Sequence, residues 1–129
     1  MRRVLVDTDI YIEAILGNKN VAAQLRKIDL IGMSTVSAGE LLVGLKGGKN
    51  RQEQMARFET FLDSPRVKLY SISYATAEFY SEIFIKLRRA GTPIPTNDIW
   101  IAATALEQGL LVLTLDKHFR KVPGLSFYE

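Results

Sequence analysis

Cysteine is absent from the chain, and histidine occurs once, as His118. Disulfides and thiolate metal sites are therefore excluded, and any metal must be held by oxygen or by that one imidazole. The lack of cysteine fits a reducing cytosol, and a cytoplasmic protein is the expectation. No apolar run reaches the roughly 20 residues that a membrane-spanning helix needs, which predicts a soluble protein with no membrane partner. Met1-Arg2-Arg3 before Val4-Leu5-Val6 has the opening of an export signal, but Asp7, Asp9 and Glu13 interrupt it before an apolar core forms. Internal repeats, low-complexity tracts and linkers are also missing. With 129 residues, 47% of them hydrophobic, the composition supports one packed core, so a single domain spanning 1–129 is expected.

What is present is a regular alternation of short apolar strands and amphipathic helices. Arg3 to Val6 reads as a strand ending at Asp7, with Thr8 or Asp9 capping a helix that Gly17-Asn18 stops. Asn20 to Ile28 follows as a helix, Leu30 to Ser34 as a strand, Thr35 to Leu45 as a helix and Arg51 to Leu62 as another. The intervening Lys46-Gly47-Gly48-Lys49-Asn50 is a turn and not a phosphate-cradling loop, which requires Gly-Lys-Ser/Thr behind a strand. Val67 to Ile72 is a third strand, and Ser73 to Arg89 a long helix with Phe79, Ile83 and Leu87 in one row.

Pro95 to Asp116 organises the rest. Ile99 to Leu106 is apolar nearly all round, which describes an interior helix, and the small Ala102 and Ala105 let its backbone approach a sheet. Thr96 or Asn97 is placed to cap it, with Asp98 in the first turn, where the helix dipole favours an anion. Gly109 stops it. Leu110 to Leu115 is apolar without alternation, the pattern of a parallel strand buried on both faces, and it delivers Asp116 to its carboxyl end. A last strand is expected at Leu125 to Tyr128.

Strands separated by helices imply parallel pairing through crossovers, hence a three-layer α/β/α domain with a five-stranded parallel sheet. In such sheets ligands bind beyond the carboxyl ends of the strands, where the winding direction reverses. Asp7 and Asp116 meet there if the first and fourth strands are neighbours.

Four acidic residues, Asp7, Glu40, Asp98 and Asp116, then need an explanation. Each has a structural one: Asp7 could cap the first helix, Asp116 could cap the turn that holds Lys117 and His118, Asp98 could serve its helix dipole, and Ser37-Ala38-Gly39-Glu40 fits a capping box. Taken together they gather at the edge that parallel topology reserves for a site. Crowded carboxylates repel unless a cation offsets them, and an oxygen-only set suits Mg²⁺ or Mn²⁺. The net charge of +3 is modest, yet the basic residues are clustered: Lys46, Lys49 and Arg51; Lys86, Arg88 and Arg89; Lys117, Arg120 and Lys121. Such clusters suit phosphates as well as they suit solvated helix ends.

In Val4-Leu5-Val6-Asp7-Thr8, Glu40-Leu41 with Gly44, Asn97-Asp98-Ile99-Trp100-Ile101-Ala102-Ala103-Thr104-Ala105, and Leu113-Thr114 to Asp116 with Phe119, the chain resembles the PIN-domain ribonucleases. Within that family it resembles the VapC toxins of toxin-antitoxin pairs, over essentially its whole length. The resemblance implies that Asp7, Glu40, Asp98 and Asp116 form an acidic metal-binding catalytic quartet supported by Thr114. Thr8, Asp9 and Asn97 are supporting positions; Asp9, where Asn or Ser is common, and Asn97 are read first as helix caps. His118, beside basic residues, is read as a surface or partner contact.

The implied activity is endonucleolytic cleavage of single-stranded or loop RNA by metal-activated water, leaving a 5′ phosphate and a 3′ hydroxyl. The implied partners are the RNA substrate, a VapB-like antitoxin and a second copy in a homodimer. Two other readings stand beside it. A receiver-like Mg²⁺-binding signalling domain lacks support in the split Asp7 and Asp9 pair, and a catalytically silent PIN-like RNA-binding module is opposed by the complete quartet.

Overall fold

The computed structural model describes residues 1–129. The elements in order are β1 (Arg3–Val6), α1 (Thr8–Ile15), α2 (Lys19–Arg26), β2 (Leu30–Ser34), α3 (Thr35–Gly47), α4 (Arg51–Asp63), β3 (Val67–Tyr70), α5 (Tyr74–Arg89), α6 (Thr96–Gln108) and β4 (Leu111–Leu113), followed by a 3-10 turn at Lys117–Lys121. No helix is long and apolar enough to cross a membrane.

All strand pairs are parallel, in the order β3-β2-β1-β4. From β1 the chain winds outward to β2 and β3, then returns across the sheet to place β4 on the other side of β1. The switch point therefore lies between β1 and β4, with Val6 opposite Leu113, so the expected adjacency holds.

The sheet has four strands and not the expected five. Leu125 to Tyr128 makes a single parallel bridge, Val112 to Phe127, held by Val112 N–H on the Ser126 carbonyl and Tyr128 N–H on the Val112 carbonyl. The fourth strand itself is only three residues long, ending before Thr114 rather than at Leu115, and offers too short an edge for a full ladder.

Side-chain alternation along the strands sorts the core into two layers. Val4 and Val6 of β1, Ile31 and Met33 of β2 and Leu113 of β4 join Ile10, Tyr11, Val21, Leu41 and Phe58 from α1 to α4 on one face. Leu5 and Val112 face the other way, against Ile83 and Leu87 of α5 and Ile99, Ile101, Ala102 and Ala105 of α6. Gly32 keeps that face of β2 flat: a Cβ there would meet the Tyr70 ring at 2.9 Å. The helix α6 is buried nearly all round, as its composition implies, and Gly109, at φ 65°, closes it in a conformation that favours glycine.

Helices α5 and α6 run antiparallel. Thr76, near the start of α5, donates to Glu107 at the end of α6 at 2.6 Å, while the Thr92 amide donates to Leu87 as the chain turns back toward Asp98. The exposed Lys86, Arg88 and Arg89 thus end α5 on the side of the molecule where α6 begins.

Candidate metal-binding active site

Asp7 leaves β1 still within the ladder, its amide donating to the Leu113 carbonyl at 3.1 Å. Its side chain is 4% exposed and accepts from the Thr8 amide at 2.6 Å and from Thr114 Oγ1 at 2.8 Å. Thr114 Oγ1 also accepts from the Asp116 amide at 2.9 Å, so one hydroxyl ties the ends of β1 and β4 together. Burial lifts the Asp7 carboxyl from 3.8 to about 6; the Thr114 and Thr8 hydrogen bonds oppose the rise, and the charges of Asp9 and Asp98 add to it.

Asp98 arrives from the first turn of α6, 7% exposed. Its carboxyl is likewise raised from 3.8 to about 6, by burial first and then by the Asp116 charge, with Glu40 adding and His118 opposing. Asp116 accepts from the His118 amide at 2.9 Å, which starts the 3-10 turn and carries the imidazole back over the site. His118 Nδ1 stands 3.2 Å from Asp116 Oδ1 and 3.6 Å from Asp98 Oδ2. Phe119, fully buried, anchors the turn behind it.

Glu40 approaches from α3. Thr8 Oγ1 donates to one of its oxygens at 2.9 Å and Asn97 Nδ2 to the other at 2.8 Å, so α1, α3 and α6 are linked through this carboxylate. The capping box with Ser37 does not form, because α3 begins three residues earlier with Ser34 as its cap, leaving the Ser37 hydroxyl buried and unpartnered.

The structure thus brings Asp7, Glu40, Asp98 and Asp116 to one cavity of about 270 Å³, lined further by Thr8, Asp9, Pro95, Asn97 and His118 and by no hydrophobic residue. Its tightest group is Asp98, Asp116 and His118, whose donor atoms lie within 4.8 Å of one another. This donor set, carboxylate-rich and with two acids strained upward by burial and mutual repulsion, fits a hard divalent cation.

Three local expectations are corrected. Asp7 and not Thr8 or Asp9 caps α1, and Asp9, one residue inside the helix, lines the cavity as an additional charge. Helix α6 starts after Pro95 with no side-chain cap, so Asn97 is free to bond Glu40. His118 is exposed, as expected of a surface residue, and it also lines the cavity, which was not expected. The available signal was the Asp-x-His spacing: an Asp that caps a tight turn accepts from the residue two further on and brings that residue back to itself.

A parallel α/β sheet with an acidic cavity beyond its strands' carboxyl ends, at the switch point, has the ligand-site placement of open α/β folds. Among these the chain belongs to the PIN domain family, whose pattern residues 4–125 match. The family match displaces the receiver-like alternative. Ribonuclease VapC4 of Mycobacterium tuberculosis is 32% identical over 128 residues, covering 98% of this chain and 95% of that one. Among solved structures, DNA-bound VapBC from Salmonella typhimurium superimposes with a TM-score of 0.89 at 24% identity, over 99% of this chain and 98% of that one. VapBC2 from Rickettsia felis, bound to a DNA fragment from its promoter, gives 0.87 at 23% identity, over 97% and 96%.

Proposed function

We propose that the chain is the endoribonuclease toxin of a toxin-antitoxin pair, acting in the cytoplasm on single-stranded or loop RNA with Mg²⁺ or Mn²⁺. The observation that carries the reading is the convergence of four carboxylates from β1, α3, α6 and the end of β4 on one cavity without apolar lining. In this reading Asp7, Glu40, Asp98 and Asp116 hold the cation and are the catalytic set. A bound divalent cation supplies charge to neutralise the scissile phosphate and lowers the pKa of the attacking water.

The chain's own groups do the rest. Thr114 keeps Asp7 ionised by donating to it and fixes Asp116 through its amide; Thr8 and Asn97 hold both oxygens of Glu40. The exposed Lys117 and Lys121 begin and end the 3-10 turn that follows Asp116 and are available to the RNA backbone, whereas Arg120 lies over the Phe127 ring and pairs with Glu129.

The antitoxin reading is supported by an apolar cavity of about 310 Å³ between α1, α2 and α4, lined by Ile10, Tyr11, Ile15, Leu25 and Phe61. Exposed Ile72, Tyr74 and Phe79 at the start of α5 suit contact with a second copy.

The test is cleavage of a defined single-stranded RNA by protein purified free of partner. Activity in Mg²⁺ or Mn²⁺ that stops with chelator and is absent in Asp98→Asn supports the reading. Activity that persists in chelator, or an inactive protein with either metal across a total cellular RNA pool, overturns it and favours the silent RNA-binding alternative.

A further inference from the structure

The four acids leave His118 without a function, yet no other residue offers a nitrogen donor at this cavity. We propose that His118 is a direct nitrogen ligand of the cation and tunes the site toward first-row transition ions such as Mn²⁺ over Mg²⁺. The proposal rests on the metal-dependent reading above and deepens it.

The spacing is that of ligands sharing one ion. Adjacent donors around a six-coordinate ion with bonds of about 2.1 Å stand about 3 Å apart. Nδ1 lies 3.2 Å from Asp116 Oδ1 and 3.6 Å from Asp98 Oδ2, and the three donors form the tightest ligand group in the chain.

The placement is built by the fold. Asp116 Oδ1 takes the His118 amide, which sets the ring beside the carboxylate, and Phe119 and Val122, both buried, hold the turn to the core. These two constraints position the ring although its side chain is 46% exposed. The alternative role for the ring is that of a resident counter-cation, pairing with Asp98 and Asp116 and competing with metal.

The two roles differ in selectivity. Carboxylates serve Mg²⁺ and Mn²⁺ alike, whereas imidazole is a poor partner for Mg²⁺ and a good one for later first-row ions. A ligand histidine therefore strengthens Mn²⁺ binding more than Mg²⁺ binding. A competing imidazolium weakens both.

The experiment uses the full chain with Mn²⁺ as the probe, by pulsed electron paramagnetic resonance for ¹⁴N coupling and by calorimetry for affinity, on wild type, His118→Ala and Asp116→Asn. The expected result is ¹⁴N coupling to Mn²⁺ in wild type that is lost in His118→Ala. Mn²⁺ affinity should fall about tenfold in that variant, with Mg²⁺ affinity changing by less than about threefold. Mn²⁺ that binds wild type without ¹⁴N coupling, or affinity for both ions that rises in His118→Ala, overturns the ligand role and leaves the metal-dependent reading intact. If wild type binds neither ion and Asp116→Asn behaves identically, both fall together.

Discussion

Asn97 donates from Nδ2 to Glu40 Oε2 at 2.8 Å, across 57 residues of sequence, and with Thr8 on the other oxygen it fixes the one site carboxylate that comes from the middle of a helix. Neither donor side chain takes part in a helix cap. Asn97→Ala should therefore lower cleavage about 10- to 100-fold, the usual cost of losing a group that orients a metal-binding carboxylate. Its unfolding free energy should change by less than the roughly 1 kcal/mol that loss of a cap costs. Denaturant melts beside a cleavage assay decide it: full activity with a loss of 1 kcal/mol or more assigns Asn97 to the helix end.

The caps of α3 offer a paired test. Ser34, fully buried, accepts from the Val36 amide, and Ser34→Ala should cost about 1 kcal/mol or more. Glu40→Gln should cost no helix stability and should abolish cleavage. The reverse pattern in urea unfolding would restore the capping-box explanation of Glu40.

Much of this arrangement was legible because each element carries its own local signal. The strand β1 and the strand β2 are read to the residue, and the burial of α6 follows from its composition alone. What local reading misses is competition between partners. Thr8, Asn97 and Glu40 are each ordinary capping residues in isolation; their hydrogen bonds go instead to one another because α1, α3 and α6 meet at the switch point. The short β4 has the same origin: Thr114 turns its hydroxyl to Asp7 and Asp116, which ends the strand where hydropathy alone continues it to Leu115. The placement of His118 depends on a turn whose geometry Asp116 sets and Phe119 anchors, and residue type does not report that.

The raised carboxyls of Asp7 and Asp98 predict how stability depends on pH. Each titrates near 3.8 when unfolded and at about 6 when folded, so between those values the folded state binds more protons than the unfolded one. Their contribution is fully present below pH 4 and is lost as pH rises through about 6, by an amount on the order of 2–3 kcal/mol for each group. Metal-free Asp98→Asn should match wild type near pH 4 and become more stable than it above pH 6. Saturating Mn²⁺ should stabilise wild type at neutral pH, where the carboxylates are ionised, and much less at pH 4.5. Urea melts across this range check both signs; a variant less stable than wild type at pH 7 contradicts the repulsion.

Thr114 provides the sharpest separation of site chemistry from packing, because its hydroxyl does two things and its methyl a third. Oγ1 donates to Asp7 Oδ2 and accepts from the Asp116 amide, while the side chain fills the end of β4. Thr114→Val keeps the volume and removes both hydrogen bonds, leaving a buried, ionised Asp7 without one of its two donors, at a cost of roughly 1–3 kcal/mol at neutral pH. The cost should shrink at pH 5, where Asp7 holds a proton and no longer needs that donor. Loss of the donor also pushes the Asp7 carboxyl above 6, so the pH at which metal binding and cleavage set in should move upward. Thr114→Ser, which restores Oγ and deletes only the methyl, should return the pH profile to that of wild type even if its stability stays lower. Calorimetric Mn²⁺ binding and RNA cleavage from pH 5 to 8 on the three proteins check this. A Val variant with an unshifted profile, or a Ser variant that fails to restore it, would reduce Thr114 to a packing residue.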